Sequence, residues 1–118
     1  MNTEMVKKVI LALENKKGID IKAIDISGIS TVADCFIMCT GTSTTHVKAL
    51  ADEVDFQLGE EGKEIGSHKE GYGTGTWVLI DYKDVIVHIF CGESREFYNL
   101  EHLWSDGEEM DIKTLMEE

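Results

Sequence analysis

From Trp77 to Phe90 the chain reads WVLIDYKDVIVHIF, two apolar runs of strand length around the polar tetrapeptide Asp81-Tyr82-Lys83-Asp84. Runs of β-branched and aromatic residues bounded by turn formers predict an antiparallel hairpin. A two-residue turn at Tyr82-Lys83 requires positive φ at both positions and sets Asp81 opposite Asp84, so a four-residue loop is expected. That loop pairs Ile80 with Val85, Leu79 with Ile86, Val78 with Val87 and Trp77 with His88. Side chains alternate along a strand, so Val78, Ile80, Val85, Val87 and Ile89 share one face, and Trp77, Leu79, Ile86, His88 and Phe90 share the other. The first face is core. The second is apolar as well, so either a helix covers it or a partner does.

The flanking sequence supplies helices for such a sheet. Val6, Val9, Ile10 and Leu13 form one helical stripe over residues 3–14, with Asn2 or Thr3 available as N-cap and Gly18 just past the end. Residues Ile19 to Ile26 and Ala33 to Thr40 read as strands, the second buried. Ser43 can cap a helix that carries Val47, Leu50, Ala51, Val54 and Leu58 on one face. Six glycines between 59 and 76 argue against regular structure there beyond a short strand at Lys63 to Ser67. Ser94 can cap a third helix with Phe97, Leu100, Leu103 and Trp104 turned inward. A chain of 118 residues has room for one core, so the expected fold is α/β, a single domain with a mixed β-sheet flanked by helices.

Charge narrows the partners. Asp and Glu outnumber Lys and Arg 23 to 11, a net charge of -12, which opposes a primary role on phosphate backbones or anionic membranes and favours a basic partner. The stretch from Ser105 onward holds Asp106, Glu108, Glu109, Asp111, Glu117 and Glu118 against Lys113 alone. It is expected to be a solvated acidic tail, although Ile112, Leu115 and Met116 would let it dock as a short helix. No apolar run approaches the ~18 residues of a membrane span, so a soluble, cytoplasmic protein is expected. Cys35, Cys39 and Cys91 are an odd number set in apolar segments, where reduced cysteine acts as a small hydrophobe.

Catalytic motifs are weak. Gly41-Thr42-Ser43 ends a strand and opens a helix, where backbone N–H groups can meet a phosphate, but an N-capped turn uses the same residues fully. A nucleotidyltransferase follows such a turn with paired acidic residues that hold Mg²⁺, and no Asp-x-Asp lies on the later strands. Asp81 and Asp84 fall in a turn. His46, His68, His88 and His102 lack partners at metal-ligand spacing, and no serine or cysteine comes with a motif that specifies its base. No enzyme, metal or cofactor is therefore expected, with a nucleotide-binding nucleotidyltransferase-like enzyme as the alternative.

The segments GISTVADCFIMCTGTSTTHVKALAD, EGYGTGTWVLIDYKDVIVHIF and ESREFYNLEHLW, in this order, resemble the ribosomal silencing factor family, also called Iojap. The resemblance runs from about residue 3 to Trp104, so residues 1–104 are expected to form the family domain and 105–118 the acidic tail outside it. It implies a nucleotidyltransferase-like fold without catalytic residues. It also implies a translational repressor that binds the large ribosomal subunit at its protein fourteen, on the intersubunit face, and blocks joining of the small subunit, especially when nutrients are short. A homodimer is implied for the free protein, with little direct nucleic acid contact. With the hairpin register, the resemblance points to Trp77, Asp81, Tyr82, His88, Phe90 and Tyr98 as the protein-binding residues, with Trp77, His88 and Phe90 partly exposed. Two positions depart from the family pattern: Thr45 stands where arginine is frequent, and Lys83 where a turn glycine is frequent.

Overall fold

The computed structural model describes residues 2–29, 31, 33–65, 68–92 and 107–117, with the backbone alone at 60–65. Helix α1 (Thr3–Asn15) starts where the Asn2 side chain accepts the Met5 N–H at 3.1 Å, and it buries Met5, Val6, Val9, Ile10, Ala12 and Leu13. It ends in a doubled cap: Gly18 N–H returns to the Leu13 carbonyl and Lys17 N–H to that of Glu14. The left-handed residue of this cap is Lys17, φ +59, and not the glycine. Gly18 serves a close approach instead, since a Cβ there would stand 2.4 Å from Cys39 Sγ.

Six strands follow in one sheet: β1 (Ile19–Asp25), β2 (Cys35–Gly41), β3 (His68–Glu70), β4 (Trp77–Asp81), β5 (Val85–Cys91) and β6 (Glu108–Glu109). Their spatial order is β3-β4-β5-β2-β1-β6. β2 and β5 run parallel, from Cys35 beside Val85 to Gly41 beside Cys91, and the other pairs are antiparallel, so the sheet is mixed. The parallel pair needs a crossover, which helix α2 (Thr44–Ile65) provides. Its stripe of Val47, Leu50, Ala51, Val54 and Leu58 is buried with α1 against Cys35, Ile37, Cys39, Val78, Ile80, Val85, Val87 and Ile89. The two cysteines on β2 thus point into the same apolar layer. A second cluster, Ile24, Ile26, Ala33, Phe36, Met38, Ile86 and Phe90, occupies the opposite face.

Three expectations need correction. The long helix is interrupted at Gly59 (φ 48, ψ -127), where the glycine-rich stretch begins, but a further helical segment runs on to Ile65, and the short strand lies at His68–Glu70, later than Lys63 to Ser67. The hairpin register is shifted by two residues, with Ile80 opposite Val87 and Trp77 opposite Phe90. Faces survive a shift of two because the side-chain period is two. The shift arises because the turn is tight and centred one residue later than the excluded one. Lys83 alone takes positive φ (+72), Asp84 N–H returns to the Tyr82 carbonyl at 2.9 Å, and Asp81 Oδ1 accepts the Lys83 N–H at 2.7 Å. Lys83 therefore adopts the conformation that a turn glycine would. Tyr82 leaves the loop and joins the core.

The third correction concerns the acidic tail, which is built into the fold. Glu108 and Glu109 pair with Asp25 and Ile24, and Met110 N–H donates to the Ala23 carbonyl at 2.8 Å. Helix α3 (Ile112–Glu117) buries Leu115, and Met110, Ile112 and Met116 pack against the α1–α2 core. The apolar spacing outweighs the charge, because the carboxylates can stay in water while the methionines and leucine turn inward. The helix expected after Ser94 lies outside the described residues. We expect Leu115→Ala to cost about 2 kcal/mol, and deletion of 107–118 to cost more, lowering Tm by roughly 10 °C. Differential scanning calorimetry showing both variants within about 1 °C of the parent would contradict the docked tail.

Candidate functional site

The hairpin face turned away from the two long helices brings four aromatic rings together. Trp77 on β4 stacks on Phe90 at 5.4 Å between centroids, His88 stands 5.9 Å from Trp77, and Phe36 on β2 meets His88 edge-on at 5.0 Å. Trp77 Nε1–H donates to His88 Nδ1 at 3.1 Å. An accepting Nδ1 places the histidine proton on Nε2. That Nε2 is buried and finds no hydrogen-bond partner among the described residues. Burial therefore pushes the His88 pKa down to about 4, because a charged imidazolium here would lose its hydration.

This geometry redistributes the residues expected to form a contact surface. Trp77 and Asp81 are half-buried on the outer part of the face. His88 and Phe90, expected to be partly exposed, are only 4% and 0% exposed; they form the support beneath Trp77. Tyr82 is 1% exposed and lies on the other side of the sheet, where its hydroxyl donates to Asp55 Oδ1 at 2.5 Å. Burial, with the Asp55 carboxylate beside it, raises its pKa. Tyr98 lies outside the described residues.

The sequence reading missed what β3 adds. Its register sets His68 beside Asp81 and Glu70 beside Leu79, so both exposed side chains of β3 stand on the Trp77 face. The combined surface runs along β4 from half-buried Trp77 through half-buried Leu79 to Asp81, with Glu70 beside Leu79. The sheet edge is a poor template for strand addition. Hydrogen bonds from Tyr82 to Val85 and from Cys91 to Thr76 direct the even-numbered positions of β4 toward β5. The odd ones must then bond His68 and Glu70, leaving Lys69 alone with its backbone groups turned outward.

The strand-to-helix turn at Gly41 to Ser43 is committed internally. Ser43 Oγ accepts the His46 N–H at 3.1 Å, and Thr42 N–H donates to His46 Nδ1 at 2.9 Å. His46 Nε2 in turn reaches the Lys16 carbonyl at 2.7 Å. The loop at Gly75 rests on the same helix start, where an added Cβ would be 3.0 Å from Thr44 Cβ. Among the described residues no group of three His, Cys, Asp or Glu side chains is placed to hold a metal ion.

The family model described as "Ribosomal silencing factor during starvation" matches residues 1–118. The chain belongs to the ribosomal silencing factor family. It is 41% identical over 113 residues to the ribosomal silencing factor RsfS of Bacillus subtilis, covering 95% of each protein. It is 28% identical over 102 residues to a mouse protein named "Mitochondrial assembly of ribosomal large subunit protein 1", of which it spans 42%. A crystal structure of a Chromobacterium violaceum protein, 39% identical, superposes with a TM-score of 0.83 over 89% of this chain and 87% of the other. The silencing factor family match includes the tail, in agreement with its docked position.

The buried histidine makes a pH prediction. Its folded pKa of about 4 lies below the 6.5 of a free imidazole, so the folded state binds fewer protons. The contribution is complete above pH ~6.5 and is lost as pH falls toward ~4. Between pH 7 and 5 the loss is about 2 kcal/mol. Urea titrations at the two pH values should show it in the parent and not in His88→Gln; equal pH dependence in both would remove His88 as the cause.

Proposed function

We propose that this member of the silencing factor family docks by its Trp77 face on the large ribosomal subunit, at ribosomal protein fourteen, and represses translation in the cytoplasm by occupying the surface where the small subunit joins. The mouse relative's name, with its reference to the ribosomal large subunit, supports the choice of subunit. The single observation that carries the reading is the half-buried Trp77 clamped on buried rings, with Leu79, Glu70 and Asp81 farther along the same face. Aromatic anchors with a polar rim are the usual centre of a protein interface, and a net charge of -12 suits a basic ribosomal protein. Such exclusion is steric and requires no chemical step. For the free protein we propose a homodimer formed through a face or helix, since β3 and β6 are three and two residues long and offer little edge to pair.

Truncating a central tryptophan anchor costs on the order of 2 kcal/mol, about thirtyfold in affinity. Trp77→Ala and Asp81→Lys should therefore weaken co-sedimentation with purified large subunits and restore subunit joining, while circular dichroism shows both variants folded. Binding of the parent should also weaken as salt rises from ~50 to ~300 mM, because part of the attraction is between exposed charges. Two folded variants that block joining as well as the parent would exclude this face.

A further inference from the structure

A polar cluster built from α2, β3 and the residues around β4 lies behind the docking face. Asp55 projects from the side of α2 toward β3 and β4. Its Oδ1 accepts the Tyr82 hydroxyl at 2.5 Å, and its Oδ2 pairs with the Lys69 ammonium. Tyr82 directly follows β4 and Lys69 is the middle residue of β3, so one carboxylate ties both strands to the helix. The loop after β3 is drawn into the same cluster. Lys69 Nζ lies 5.0 Å from the centre of the Tyr72 ring, Lys48 Nζ of α2 lies 5.8 Å from it, and the Tyr72 hydroxyl donates to Asp52 Oδ2 at 3.1 Å. At the start of that loop Gly71 has φ +81, and a Cβ there would stand 2.0 Å from the Trp77 carbonyl. The chain therefore closes tightly from β3 back to the tryptophan.

A three-residue strand at the end of a sheet has little stability of its own. Yet Glu70 and His68 reach the Trp77 face only while β3 stays paired. Lys69 points to the opposite side of the sheet from its two neighbours, so fixing it from behind fixes them in front. Its side chain is 28% exposed and that of Asp55 37%, which leaves their pairing partly sheltered from solvent screening.

We infer that Asp55 is a positioning residue for docking: by holding Lys69 and Tyr82 together it keeps β3 against β4, so that Glu70 and Asp81 are presented on the same sheet face as Trp77 for the lysines or arginines of a basic protein partner. This rests on the docking reading above and adds a residue that touches no partner. A surface ordered before encounter avoids the entropy of ordering it on binding. The chemistry also explains the residue type. Tyr82 needs an acceptor and Lys69 a negative charge, and a carboxylate supplies both, whereas an asparagine can accept from Tyr82 only by turning its NH2 group toward Lys69.

The experiment combines amide hydrogen exchange on the free protein with large-subunit binding, for the parent, Asp55→Asn, Glu70→Gln, the double variant and Trp77→Ala. Asp55→Asn should keep a cooperative thermal transition, speed exchange at the His68 and Glu70 amides by about tenfold and weaken binding roughly fivefold, mainly through faster dissociation. Its effect on binding should shrink by more than half in the Glu70→Gln background, because the two act through one element. Unchanged exchange at β3, or additive losses in the double variant, would overturn the positioning role even where Trp77→Ala abolishes binding. If Trp77→Ala binds like the parent, the docking reading falls and the positioning role falls with it, while the exchange data still report whether Asp55 holds β3.

Discussion

Everything in the fold depends on β2 and β5 lying side by side in parallel. Both strands are apolar on both faces, Cys35-Phe36-Ile37-Met38-Cys39 against Val85-Ile86-Val87-His88-Ile89, and pairing them creates two buried layers at once. A parallel pair cannot be closed by a short turn, so α2 must cross between them, and the hairpin must then return the chain to β2. That crossover sets Asp55 beside β3 and β4 and Asp52 beside the loop between them, and the return leaves β4 near the edge with Trp77 and Leu79 half-buried. The helix-covered core and the aromatic face are thus two sides of one pairing.

The parts legible in the sequence were those that depend on period. The stripe on α2, the apolar face of α1 and the two faces of the hairpin follow from spacings of 3.6 and 2, and a register error of two residues leaves the faces intact. The cap at Ser43 was legible because its side chain acts within three residues. What stayed hidden depended on local backbone states or on distant contacts. Lys17 and Lys83 hold positive φ, which side-chain type argues against but a closed hydrogen-bond ring can impose. Tyr82 looked like a loop residue until its hydroxyl found Asp55, 27 positions away. The tail showed its charge more plainly than its methionines.

The candidate site was legible by face but not by depth. Trp77, His88 and Phe90 do lie on one side of the sheet, yet alternation says nothing about which member of a row is nearest the edge. Position in the strand order decides it: β5 sits between β4 and β2, so His88 and Phe90 are flanked on both sides, whereas Trp77 on β4 has only the short β3 beyond it. The same order brings Glu70 and His68 to the face, which required knowing where β3 lies.

Burial of His88 and Phe90 makes Trp77 a better anchor than a freely exposed tryptophan would be. Immobilising a flexible side chain on binding costs about 0.5–1.5 kcal/mol, and a ring already stacked on Phe90 and tied through its N–H to His88 has met most of that cost on folding. The indole donor is consumed by His88 Nδ1. In the proposed docking, Glu70 and Asp81 farther along the same face favour lysine and arginine on the partner. For the proposed docking, aromatic support and edge position thus make Trp77 an anchor, while the carboxylates on the same face favour a basic partner.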